Sequence, residues 1–237
     1  MRRRTAQVLI GGELGNELDL STRKIEMEET IAALEPFVTD ARRARITHVL
    51  SHRLDSVTVV VDALHDPHNG AALVRTCDAF GVQTFHAIER SEPLAVAGTV
   101  SRGSQKWIDV VRHTNPDAAV STLQAAGYEL VATHPEGELV PEDLAKIPRV
   151  ALLLGNEHQG IAAELRAACT RAVRVPMVGF VESLNVSVTA GILLYAATRG
   201  RPGDLSEARK RALYARGLWR TVPRPEEHLA EHRNRRK

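Results

Sequence analysis

The chain has 237 residues, 43% hydrophobic and 25% charged, with a formal net charge of +2. That length and balance suit one substantial globular core with an appended element and exclude a disordered chain. Cys77 and Cys169 stand far apart with no CxxC, which argues against a disulfide framework or a cysteine-rich zinc site and fits a reducing compartment.

Residues 1–21 show little periodicity and are expected to form a loose N-terminal segment. Their apolar run is too short for a convincing signal peptide, and no apolar stretch in the chain reaches membrane-spanning length, so a cytoplasmic protein is expected. From Thr22, TRKIEMEETIAALEPF reads as an amphipathic helix ended by Pro36, with Ser21 or Thr22 as its cap. A second, basic helix from Val38 to Arg53 completes a helical leader over residues 22–54.

The pattern changes at VTVVVDALHDPHNG, a β-branched run entering a polar turn, as a buried parallel strand does. Helix AALVRTCDAFG, closed by Gly81, and strand VQTFHAI follow. Next come strand WIDVV, helix PDAAVSTLQAAG, strand YELVAT, a turn through HPEGE, strand RVALLLG, helix AAELRAACT, strand AVRVP and a helix beginning near Leu184. This alternation predicts a three-layer α/β domain over residues 55–200, with its active groups beyond the carboxyl ends of a mainly parallel sheet. Residues 201–237 are expected to form a basic helical extension and tail, read from EARKRALYARGLWR and EHRNRRK.

Three strand ends carry polar, glycine-containing loops. In DALHDPHNGAALVR, Pro67 stiffens the turn, Asn69 is placed to cap the helix and Arg75 lies further along it. The ordinary alternative is capping by Asn69 and a surface ion pair by Arg75. In LLLGNEHQG, Gly155 and Gly160 bracket Asn156 and Glu157, allowing a tight turn whose backbone meets a ligand closely. Its ordinary alternative is a connection with Glu157 near the next helix start. In VPMVGFVESLNVSVTAG, Ser183 can cap the helix, while Asn185 is read as a buried amide that needs a partner, a ligand being one. No glycine-rich dinucleotide fingerprint, GKS or GKT phosphate loop, GxSxG elbow or HExxH metal motif is present.

These three loops, in this order and separation, resemble the SpoU, or TrmH-like, branch of the knotted SPOUT RNA methyltransferases over roughly Val57 to Arg199. SRGSQKW and the helical flanks point to its tRNA guanosine-18 2'-O-methyltransferase subgroup. The resemblance implies a C-terminal deep trefoil knot, a homodimer, and S-adenosyl-methionine bound in the knot loops. It places the cofactor against Ala132, Thr133 and His134, against Leu154, Gly155 and Asn156, and against Val175, Met177, Leu184 and Val186. Asn69, Arg75, Glu157, Ser183 and Asn185 match residues tied to activity or architecture, Arg75 being the principal catalytic candidate.

The chain departs from that pattern at Gly70-Ala71-Ala72 after Asn69, where relatives often have Leu-Ser-Ala, and at Glu182 in place of Gln. The first changes the helix entrance; the second adds a carboxylate to an RNA-facing loop. The activated methyl group needs no metal, so none is expected. Arg42, Arg43, Arg45 and Arg53, with Arg209, Lys210, Arg211 and Arg216, are expected to position tRNA phosphates. A ribosomal-RNA 2'-O-methyltransferase, or a catalytically silent RNA-binding protein on the same fold, are the alternatives.

Overall fold

The computed structural model of the chain describes residues 7–10, 24–64, 66–89, 107–156 and 160–235. It divides into two compact units, one of residues 1–14 and 54–201, the other of residues 15–53 and 202–237.

Among the described residues the first unit is built on a seven-stranded sheet: β1 (Gln7–Ile10), β2 (Val57–Asp62), β3 (Thr84–Ile88), β4 (Asp109–His113), β5 (Glu129–Thr133), β6 (Val150–Leu154) and β7 (Arg171–Val173). Their order is β1-β4-β3-β2-β6-β5-β7, and every pairing is parallel except β1 with β4. β1 lies in the segment expected to be loose. Four residues at a sheet edge are too few to show alternation, and their register partners, Asp109 to Arg112, lie about a hundred residues away.

Strands β2, β3 and β6 are buried along their whole length, so their side chains serve two cores. On one face Val59, Val61, Leu152 and Leu154 meet Leu73, Val74 and Cys77 of α3 (Pro67–Ala79) and Leu193, Leu194 and Ala197 of α6 (Val186–Thr198). On the other, Val60, Ala151 and Leu153 meet Ala119 and Leu123 of α4 (Pro116–Ala125) and Leu165 of the short α5 (Ala163–Ala167). The three expected layers are present.

α3 starts earlier than the apolar periodicity suggests. Asp66 is its cap, accepting from His68 N at 2.8 Å, and Pro67 occupies the first turn. Asn69 is therefore inside the helix and is not its cap. From β7 at the sheet edge, residues 174–185 lead to α6, which lies against α3 and against a 3₁₀ turn at Pro141–Lys146. Arg201, just beyond α6, fastens that end: its guanidinium donates to the carbonyls of Leu144, Ile147 and Pro148 at 3.1, 2.5 and 2.8 Å.

The second unit contains α1 (Lys24–Leu34), α2 (Asp40–Ser51), α7 (Glu207–Thr221) and α8 (Pro225–Asn234). α1 gives way to a 3₁₀ turn at Glu35–Phe37 that contains Pro36. The proposed caps Ser21 and Thr22 lie outside the described residues. Thr39 caps α2, accepting from Arg42 N at 3.3 Å. Met27, Ile31 and Leu34 share a core with Ala215, Leu218, Val222 and Leu229, so the leader and the C-terminal extension are one body. Arg211 pairs with Glu28, Arg233 with Glu29, and Tyr214 donates to Glu35 at 2.6 Å. Burial and that carboxylate push the Tyr214 phenol up to about 12.

Candidate active site

Beyond the carboxyl ends of β5, β6 and β7 lies a solvent-open cavity of about 430 Å3. Its walls are made by the three loops that follow those strands. Leu154, Ile161, Val173, Val175, Met177, Leu184 and Val186 are among its apolar members, and Thr133, His134, Asn156, Arg174, Glu182, Ser183, Asn185 and Thr189 among its polar ones. This mixture suits a ligand with one flat apolar part and a few polar edges.

Each loop is shaped by local bonds. Asn156 and Gly160 exchange backbone hydrogen bonds at 3.2 and 3.1 Å, closing the loop after β6 on itself. A side chain at Gly155 would collide with the Gly160 backbone, and Gly160 itself has φ +66. After β5, His134 N donates to Val173 O at 3.0 Å, and His134 Nδ1 accepts from Glu136 N at 3.2 Å. Arg174 reaches back to Gly137 O at 2.6 Å.

Asn185 caps α6: its Oδ1 accepts from Ser187 N at 2.8 Å and from Ser187 Oγ at 2.6 Å. Its Nδ2 donates to Asn69 Oδ1 at 3.1 Å. The expectation of a buried Asn185 is overturned, because Glu182, Ser183 and Asn185 are all exposed and the neighbouring Val178, Phe180 and Val181 are exposed with them. An apolar run was mistaken for core where it is surface. The buried amide is Asn69, 8% exposed, and Asn185 is one of its partners. Nor is Ser183 the cap.

Of the expected cofactor residues, Thr133, His134, Leu154, Gly155, Asn156, Val175, Met177, Leu184 and Val186 line the cavity. Ala132 does not; it is buried within β5, paired with Leu153 and Ala172. Arg75 is exposed on α3 and outside the cavity wall, while Glu157 lies outside the described residues. Pro135, Ile161, Val173, Arg174 and Thr189, none of them expected there, also line the wall. Thr189 follows Asn185 by one helical turn, a spacing that could have found it.

The expected phosphate contacts divide. Arg53 and Arg216 are buried, 2% and 9% exposed, and so do not present a charge to solvent. The basic run hid this, since sequence alone does not tell which arginine of a helix turns inward. Arg211 is held by Glu28, Lys210 by Glu207 at 2.8 Å and Arg43 by Asp40. Arg42 and Arg45 are exposed on α2.

A parallel sheet with glycine-shaped loops around a nucleoside-sized cavity at its carboxyl ends defines an α/β protein built to hold a nucleotide-like ligand. Residues 56–195 match the SpoU rRNA methylase family, and the chain belongs to it. It is 37% identical over 169 residues to a Thermus thermophilus tRNA (guanosine(18)-2'-O)-methyltransferase, covering 69% of this chain and 84% of that one. Identity to the Escherichia coli K12 protein of the same name is 35% over 161 residues, 68% of this chain and 70% of the other. Among solved structures, the Aquifex aeolicus TrmH/SpoU tRNA modifying enzyme superposes with a TM-score of 0.69 at 31% identity, covering 78% of this chain and 98% of that one. The Streptomyces viridochromogenes SpoU methyltransferase AviRb in complex with AdoMet gives 0.57 at 26% identity, covering 64% and 60%.

Proposed function

We propose that the protein transfers a methyl group from S-adenosyl-methionine to the 2'-hydroxyl of guanosine 18 in tRNA. The observation that carries this reading is the bond from Asn185 to Asn69, because it joins the cavity wall to the helix that bears Arg75.

The cavity fits the cofactor by size and by the chemistry of its walls. Leu154, Ile161, Leu184 and Val186 are suited to enclose an adenine, and the loop backbone offers donors and acceptors for its edge. The bound cofactor supplies a sulfonium methyl group already activated towards a hydroxyl. The protein then has to align the ribose and help its proton leave.

Arg75 remains a cation and is not a base. On this reading it grips the phosphate beside the target ribose and stabilises charge developing on the oxygen, with a phosphate oxygen taking the proton. Asn69, held by Asn185, keeps the first turn of α3 in register with the cavity. Ser183 lines the cavity beside these groups, and Glu157 is retained as a candidate from the sequence alone. No metal enters this scheme.

Two family features complete the proposal. α6 follows the edge strand β7 and packs against α3, an arrangement that supports the trefoil knot implied by the family. Val188, Ile192 and Tyr195 form an exposed apolar stripe at helical spacing on α6, and Phe180 is fully exposed at 109%, as expected for a surface covered in a homodimer. No helix among the described residues is long and apolar enough to cross a membrane.

Purified protein given labelled S-adenosyl-methionine is expected to label unmodified tRNA. Labelling of ribosomal RNA with tRNA left blank would transfer the proposal to the other substrate. Replacing Leu184 by Trp should fill the cavity and abolish binding of S-adenosylhomocysteine in calorimetry; undiminished binding would remove the cofactor from this cavity.

A further inference from the structure

Asp62, the last residue of β2, is 3% exposed, although it carries a carboxylate. Its Oδ2 accepts the backbone N–H of Ala162 at 3.1 Å. Ala162 is the N-cap of α5 and has no capping side chain of its own. The aspartate thus supplies from the sheet what the helix start lacks.

The placement of this bond matters more than its existence. Ala162 ends the segment Gly160–Ile161–Ala162, whose first two residues line the cavity. The outgoing limb of that loop is secured by β6 through Leu154, and the bonds between Asn156 and Gly160 join its two limbs. The Asp62 bond ties its returning limb to the sheet. On the other side of Asp62, Ala63 adopts φ 49, a left-handed backbone unusual for a residue with a side chain. Its N–H donates to Ile88 O at 3.1 Å, and the chain turns there towards Asp66, the cap of α3. One residue therefore stands where the loop leading to Asn69 and Arg75 leaves the sheet, and holds the loop that walls the cavity.

We propose that Asp62 is a positioning residue for the cavity: by holding the Ala162 amide it keeps Gly160 and Ile161 in the cofactor-binding geometry, which is how the cavity's affinity is set. This rests on the cofactor assignment made above.

A double-mutant cycle on the full chain tests it. Asp62→Ala removes the acceptor. Ala162→Pro removes the donor, at a residue whose φ of −60 a proline accepts. Each change is expected to weaken S-adenosylhomocysteine binding about tenfold in calorimetry, the worth of one hydrogen bond to a charged group. The double variant should be no weaker than the poorer single variant, since both delete the same bond. Asp62→Asn keeps an acceptor oxygen and should recover most of the affinity, and RNA binding should stay at the wild-type level in all four proteins.

Losses that simply add, or an unchanged affinity in Ala162→Pro, would overturn the proposal. A second readout needs no ligand: amide exchange at Ile161 should accelerate in both single variants, and unchanged exchange would also overturn it. If wild-type protein binds no S-adenosylhomocysteine, the cofactor assignment falls, while the exchange measurement still decides whether Asp62 holds the loop.

Discussion

Arg75, Asn69 and Asn185 divide the proposed chemistry between an exposed cation, a buried amide and a helix cap. A planar guanidinium grips a phosphate through two parallel bonds, and an ammonium does not. Arg75→Lys should therefore lower kcat by roughly 100-fold while leaving S-adenosylhomocysteine affinity unchanged; a parallel loss of both would mean that Arg75 shapes the cavity instead. Asn185 does two jobs that can be separated. Asn185→Ser keeps an acceptor for the Ser187 amide but is too short to reach Asn69. Its melting temperature should stay near that of the wild type, since alternative N-cap residues differ by only a few tenths of a kcal/mol, and kcat should fall by about tenfold, the value of roughly one lost hydrogen bond. Full activity in that variant would reduce the Asn69 bond to a packing detail.

At the scale of elements, much was legible and the failures have physical causes. β2 and β6 announce themselves as VTVVV and VALLL, runs that only a doubly covered strand tolerates. The loops that wall the cavity were legible because glycines and short polar residues interrupt those runs. The start of α3 was misjudged because Pro67 and His68 look like a turn, although proline is at home in a helix's first turn. Asn185 was misjudged because exposed apolar neighbours imitate a core. β1 carried too short a pattern, and the 3₁₀ turn at Pro141–Lys146 is defined by contacts with α6 that lie far away in sequence.

Two elements make stability predictions. The Arg201 guanidinium satisfies several carbonyls at the end of the 3₁₀ turn, so Arg201→Met should cost on the order of 3 kcal/mol in urea unfolding; an unchanged midpoint would show the clamp to be idle. His86 and His113, on neighbouring strands, are stacked and bonded Nδ1 to Nε2 at 2.8 Å, and His113 Nδ1 has no partner among the described residues. Burial lowers the His113 pKa from its ordinary value of 6.5, so the unfolded chain binds a proton before the folded one does. Stability should therefore fall as pH drops through 6.5 towards the folded value, and His113→Gln should flatten that slope in thermal melts. A wild-type stability independent of pH across this window would contradict the burial argument.

The whole molecule combines a cavity-bearing sheet domain with a helical unit whose basic residues are partly engaged by its own acids, as Arg211 is by Glu28 and Arg233 by Glu29. Arg42 and Arg45 are exposed on α2 and are proposed as phosphate contacts. Affinity for tRNA should weaken steeply between low and moderate salt, and Arg42→Glu with Arg45→Glu should make that dependence shallower. An unchanged salt slope would place the RNA elsewhere. The stripe of Val188, Ile192 and Tyr195 makes Ile192→Glu the variant of choice for sedimentation, where a dimer is expected to become a monomer.

The measurement that bears most directly on the central claim is nuclease mapping of tRNA after methyl transfer from labelled S-adenosyl-methionine by the wild-type protein. A single labelled ribose, carrying a 2'-O-methyl group at guanosine 18, is the expected result. Label on a base, or on a ribose at another position, would contradict the account.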